Sequence, residues 1–305
     1  MISGFDMAFS EITLVTFTTL APSGAVALVI VAGVLLLANL DAQARARINK
    51  FTCIPLVVTM AGLIASATHL GNPANALYVF LHVGSSPLSN EVFSAVLFLA
   101  CSGLYWLYSF SAKPIAWLQR AVLALIAVTG AAFVTMVALA YSVDTIATWN
   151  LPTVPVSLWL NALIGGPLLA VVTLYAARWR AIAGRFGLVL AVLPFVALAA
   201  NVAVLVAQGT LMGNVENSLI SARQLVPNYG AMLAVFAVLC LVGCLASAMT
   251  MHVVSRQTVA AGQSPLAFSK RVMTRLCASC VLVFAGIFVM RFAFYMMHLT
   301  VGVAV

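Results

Sequence analysis

The 305 residues are 64% hydrophobic and only 7% charged, with a mean hydropathy of +1.16 and a formal net charge of +8. A water-soluble domain carries about 25% charged residues, so this polypeptide cannot clothe a globule in polar surface, and a soluble enzyme is excluded. Lipid is the solvent that fits, and residues 1–305 read as a single transmembrane domain because no polar stretch is long enough for a second core.

A helix crossing a bilayer needs about 20 mostly apolar residues. Eight such runs follow one another at about 12–40, 51–69, 89–110, 121–141, 155–177, 187–208, 228–251 and 274–298. The first follows Asp6 and Glu11, where a secretory signal has a basic start, and is about twice as long as a signal's apolar core, so it reads as a retained span. Turn chemistry punctuates the connections at Gly71-Asn72-Pro73, Leu151-Pro152-Thr153 and Val226-Pro227-Asn228. Gly165-Gly166-Pro167 predicts a kink in the fifth span, which neighbouring helices can tolerate. No internal repeat is visible, which argues against a transporter built from inverted halves.

The basic residues are distributed unevenly. Arg45, Arg47 and Lys50 fall in the first connection, Lys113 and Arg120 in the third, Arg178, Arg180 and Arg185 in the fifth, and Arg256, Lys270, Arg271 and Arg275 in the seventh. Only Arg223 and Arg291 of the 14 are left for the other side. By the excess of Lys and Arg in cytoplasmic loops, the odd connections are inside and both termini outside. The acids show the reverse trend: Asp6, Glu11, Glu91, Asp144 and Glu216 lie at the outer ends, and Asp41 lies inside. The expected architecture is an all-α integral membrane bundle of eight transmembrane helices. Its positive charge is topological rather than a signature of nucleic acid.

Ionisable groups within or at the edge of a membrane helix are costly, so each needs a reason. His69 ends the second span above Gly62, Ala65 and Ser66, small residues that admit a second helix or a flat ligand; an interfacial histidine is the plainer alternative. Glu91 follows Ser86-Pro87, which reads as N-cap and first helical residue. It lies in the second turn, where stabilisation by the helix dipole has weakened. Arg291 lies about seven residues below His298, or ~10 Å along a helix, so it needs an acid, a ligand or water. Arg291, Tyr295 and His298 share one helical face by spacing, and Glu91 is the candidate counter-ion. His82 and His252 read as interfacial.

Metal and haem find little support. His69 and His298 are the only outer histidines able to face each other as axial ligands, and no Cys-x-x-Cys-His motif occurs. Cys240, Cys244, Cys277 and Cys280 fall in the last two spans, where packing is the commoner use of cysteine, and Cys53 and Cys101 also lie in apolar runs.

Four passages carry a resemblance: His69-Leu70-Gly71-Asn72-Pro73, Leu88-Ser89-Asn90-Glu91, Gly165-Gly166-Pro167-Leu168-Leu169, and Arg291 through Tyr295 and His298 to Thr300-Val301-Gly302. In order and spacing the sequence resembles the membrane-anchor subunit of the anaerobic dimethyl sulfoxide reductase family. The resemblance implies a haem-free, metal-free anchor of the bacterial cytoplasmic (inner) membrane that oxidises menaquinol. Its partners would be an iron–sulfur subunit and a molybdopterin subunit that reduces an S- or N-oxide. It also implies that His69 and Glu91 are the quinol-associated, proton-accepting positions. Arg291, Tyr295 and His298 are expected as a supporting polar cluster. Competing readings are an anchor of polysulfide- or nitrite-reductase type, a transporter using the polar cluster, and a purely structural anchor.

Overall fold

The computed structural model describes residues 4–69, 73–216, 220–260 and 268–300. A short helix α1 (Gly4–Ser10) leads into α2 (Ile12–Leu37). Helices α3 (Ala42–Phe51) and α4 (Cys53–Thr68) follow one another with only Thr52 between them. Next come a 3-10 segment (Pro73–His82), α5 (Pro87–Tyr108), α6 (Ala116–Ala140), α7 (Thr153–Ala176) and α8 (Arg185–Leu211). The last elements are a single turn α9 (Ala222–Leu225), then α10 (Tyr229–Ala260) and α11 (Lys270–Met296). Among the described residues eight helices are long and apolar enough to cross a membrane: α2, α3 with α4, α5, α6, α7, α8, α10 and α11. The expected count of eight is met. Residues Leu70–Asn72, the 217–219 and 261–267 segments, and Val301–Gly302 lie outside the described residues.

One boundary differs from expectation. The second span begins at Ala42 rather than near residue 51, so Arg45, Arg47 and Lys50 ride on a helix instead of lying in a connection. The reason is local: Asp41 caps α3, its Oδ1 accepting the Ala44 amide at 2.6 Å, which satisfies one of the otherwise unpaired donors of the first turn. The arginines lowered the hydropathy of the segment without removing its helical preference.

Helices α2 and α7 form the axis of the bundle, with 67% and 78% of their apolar windows buried against 28–50% for the other six. Lipid tails are as apolar as leucine, so close packing rather than water exclusion must hold such an axis together. Small residues make the close packing possible. A Cβ on Gly24 of α2 would overlap Thr59 of α4, and one on Gly62 of α4 would lie 2.8 Å from the Ala21 amide nitrogen. Gly165 and Gly166 serve the α2–α7 crossing in the same way, against Ser23 and Val26. Helix α7 continues through Pro167. On the far flank, the Cys240 thiol of α10 donates to the Val283 carbonyl of α11 at 3.7 Å. Cys240, Cys244 and Cys280 are buried and Cys277 is exposed, and among the described residues no three His, Cys, Asp or Glu converge.

The first and last helices meet. Helix α1 lies on the end of α11, with the Phe5 and Phe292 rings 5.3 Å apart. The α6–α7 connection clamps the segment beyond α11: the Ala147 amide donates to Leu299 O at 3.1 Å, Ile146 bridges Thr300, and the Thr148 hydroxyl donates to Met297 O.

Gly24→Leu should force α2 and α4 apart at a cost of ~1–3 kcal/mol. It should lower the thermal unfolding midpoint of the detergent-solubilised protein. Gly33→Ala, whose added Cβ meets nothing within 4 Å, should leave the midpoint within error.

Candidate functional site

Arg291 faces the interior of the bundle from the penultimate turn of α11 and is only 3% exposed. The carboxylate expected beside it is absent: among the described residues no acidic oxygen lies within 4 Å of its guanidinium, Glu91 included. Its Nε instead donates to Thr18 Oγ1 of α2 at 2.9 Å. Thr18 can accept because its own hydroxyl proton is given to Leu14 O at 2.9 Å. The guanidinium carbon also stands 4.2 Å from the Phe294 ring centroid, 5.4 Å from Tyr141 and 5.5 Å from Tyr295. Each such cation–π contact contributes about 0.5–2 kcal/mol, most when desolvated. A cage of rings and one hydroxyl therefore holds the charge in place of a counter-ion.

The cage is cross-linked. Tyr295 OH donates to Tyr141 OH at 2.7 Å, tying α11 to the end of α6. Trp149 stacks on Phe294 on one side, at 5.0 Å, and on His298 at 4.9 Å. Its indole nitrogen donates to Phe294 O at 3.3 Å. His298 is thus joined to the cluster through Trp149 and not through a shared helical face. The helix ends at Met296, where the α6–α7 clamp draws the backbone aside.

One guanidinium nitrogen, Arg291 Nη2, is buried without a hydrogen-bond partner. The residue lines a cavity of about 10 Å³ together with Ser157 and Asn161 of α7 and Gln208 of α8; that is room for one water. Behind it, Asn201 Nδ2 donates to Asn161 Oδ1 at 2.7 Å. These amides lie well inside α7 and α8, where pairing lowers the cost of burial, and Asn201 Oδ1 itself is left without a partner.

His69 sits at the end of α4 with its side chain 41% exposed, and its partner is Glu11, at the joint of α1 and α2. Nε2 and Oε2 are 3.2 Å apart, an ion-pair contact without hydrogen-bond alignment, since that oxygen has no aligned donor. Glu11 also acts electrostatically on His298, which lies beyond the membrane-length helix. Burial holds His298 below its ordinary pKa of 6.5, and the Glu11 charge partly restores it. Glu91 is buried on α5, whose start is fixed as expected by Ser86 capping the Ser89 amide at 3.4 Å and by Pro87. Its carboxyl group is close enough to Tyr141 and Tyr295 to interact with both electrostatically.

The five expected residues therefore occupy one end of the bundle in two connected groups. Arg291 and Tyr295 contact Tyr141, on which Glu91 acts electrostatically, while His69 contacts Glu11, whose charge acts on His298. Sequence reasoning passed over Glu11, Thr18, Tyr141 and Trp149. Glu11 was legible as an acid placed immediately before an apolar run, but Thr18 and Tyr141 carry no signal until α11 is laid beside α2 and α6.

Thr18→Val removes the acceptor of Arg291 at nearly constant volume. It should cost ~1–3 kcal/mol in unfolding stability and much less in an Arg291→Met background, the coupling being read by a double-mutant cycle. His298 binds a proton less readily in the folded state than in the unfolded one. Its contribution to stability is therefore present above pH ~6.5 and lost as pH falls through the lowered folded value. The unfolding midpoint of the native protein should drop more between pH 7.5 and 5.5 than that of His298→Gln.

Residues 5–297 match the family described as DMSO reductase anchor subunit (DmsC). The sequence is 32% identical over 299 residues to the C subunit of the anaerobic dimethyl sulfoxide reductase of Escherichia coli, the match covering 97% of each protein. It is 31% identical over 295 residues to the same organism's anaerobic dimethyl sulfoxide reductase subunit YnfH, again covering 97% of each. It is 30% identical over 227 residues to the C subunit of the Haemophilus influenzae enzyme of that name, covering 73% of this protein and 78% of that one. A multi-pass membrane bundle that matches over nearly its whole length belongs to the DMSO reductase anchor subunit family.

Proposed function

We propose that this protein anchors an iron–sulfur subunit and a molybdopterin subunit to the bacterial cytoplasmic membrane and oxidises menaquinol for them. The observation that carries the reading is the Glu11–His69 contact at the same end of the bundle as the buried Glu91. Removing two electrons from a quinol also releases two protons, so the site needs groups that hydrogen-bond the hydroxyls and then take their protons. Imidazole does so near neutral pH, and a carboxylate within reach orients it and holds the charge it gains.

In this reading His69, oriented by Glu11, accepts the proton of one quinol hydroxyl, and Glu91 accepts the other and passes it toward the aqueous face. Arg291 does not touch Glu91 as a counter-ion. It fixes the Tyr141–Tyr295 pair that Glu91 senses, through Thr18 and the surrounding rings. The electrons leave to the iron–sulfur partner, which must dock at this end because the resemblance implies an anchor with no cofactor to relay them across. The distribution of Lys and Arg supports placing this end, with both termini, outside.

His69→Ala and Glu11→Gln should each slow menaquinol oxidation by at least about 10²-fold, the usual scale of a lost acid–base group. The subunits should still co-purify. Assembled complexes that oxidise quinol at the native rate after either change would defeat the assignment. Unchanged activity in Glu91→Gln would remove only the second proton path.

A further inference from the structure

At the opposite, basic end a second site is built around arginine. A cavity of about 650 Å³ opens between the start of α3 and the α7–α8 connection, lined by Arg47, Arg178, Trp179 and Arg180. A smaller one, about 320 Å³, shares Arg47 and Arg178 and adds Lys50 and Phe268. Asp41 also borders the larger cavity, but its Oδ1 is engaged at 2.6 Å with the Ala44 amide. The remaining charged lining is cationic.

Two details mark this as more than a row of solvated charges. Arg47 Nε is buried without a hydrogen-bond partner, and among the described residues no carboxylate pairs with this guanidinium, so its charge is left for a ligand to neutralise. Arg178 has φ of 55°, a left-handed conformation that L residues adopt rarely. There its guanidinium lies 5.4 Å from the Phe268 ring centroid, on the shared wall of both cavities. The left-handed residue directly follows Ala177, the C-cap of α7.

The larger cavity also shares part of its wall with a largely apolar groove, whose lining includes Arg185 and His252 as well. Ala183 and Gly184 line both, and the groove, of about 630 Å³ between α8 and α10, runs past Leu188, Ala191, Val192 and Phe195. A cationic pocket beside a largely apolar groove between membrane helices has the polarity of a phospholipid, phosphate outward and acyl chain inward. A neutral quinol could accept hydrogen bonds here but would leave the charges of Arg47 and Arg178 unneutralised. We propose that the Arg47–Arg178 pocket binds the phosphate of an anionic phospholipid, with one acyl chain in the α8–α10 groove.

Phosphate itself is the shared chemistry of a lipid headgroup and a free anion, and the test separates them. The full-length protein, with the subunits that co-purify, is placed in mixed micelles of phosphatidylglycerol and phosphatidylcholine, and retained lipid is counted by native mass spectrometry. The native protein should hold phosphatidylglycerol in preference to phosphatidylcholine. Arg47→Gln and Arg178→Gln should each weaken retention by about fivefold, the effect of one basic residue at a membrane surface. Arg47→Lys, which keeps the charge, should lose less and controls for folding. Ala191→Trp, which fills the groove, should also weaken retention, whereas a free-phosphate site would ignore it. Equal retention by the Gln variants, equal retention of both lipids, or displacement by millimolar inorganic phosphate unaffected by Ala191→Trp would each overturn the proposal. Displacement by a menaquinol analogue would overturn it in favour of a quinone pocket.

Discussion

Placing a guanidinium inside a bundle of apolar helices is the constraint around which one end of this protein is organised. An unpaired charge at that depth is expensive by any scale, and Arg291 has no carboxylate to offset it. The answer is distributed: one threonine from α2, one tyrosine from α6, and two rings from α11 itself. Because the partners come from different places in the sequence, the position of Arg291 fixes the relative placement of three helices. Trp149 and the α6–α7 clamp then follow from the need to hold Phe294 flat against the cation. A salt bridge would have been simpler, but a carboxylate would neutralise the arginine locally. The ring cage leaves its field available to the tyrosine pair.

Much of this was legible before any coordinates. Composition alone demanded a membrane bundle, and the apolar runs set the number of spans. His69, Glu91 and Arg291 stood out because ionisable groups in such runs are rare. The parts that were not legible are those set by helix-to-helix geometry. Thr18 reads as one more helical threonine bonding back to its own backbone, and only the crossing of α2 with α11 turns its oxygen toward Arg291. Glu91 was paired with Arg291 because both were unexplained charges at one depth, yet cation–π contacts left no need for the pairing. Arg45, Arg47 and Lys50 were assigned to a loop because charge depresses hydropathy, although helical propensity and the Asp41 cap carry the helix through them.

The two ends of the bundle divide the work by chemistry. At the end that holds α1 and the close of α11, histidine and carboxylate lie together, groups that exchange protons near neutral pH. At the other, arginine dominates, a group that never gives its proton up and is suited to holding anions in place. In the proposed reading, proton acceptance and lipid binding fall at opposite ends of one bundle, with the tightly packed α2–α7 axis running through it.

The long sequence separations within the cage carry a consequence for biogenesis. Thr18 and Arg291 are 273 residues apart, and Tyr141 and Tyr295 are 154 apart. Membrane insertion proceeds from the N-terminus, so α2 and α6 enter the bilayer long before α11 has left the ribosome. Until then Thr18 and Tyr141 have no Arg291 and no Tyr295 to meet. Thr18, Tyr141 and Arg291 therefore come together only once α11 is in place, whereas Glu11, His69 and Glu91 all precede it in the sequence.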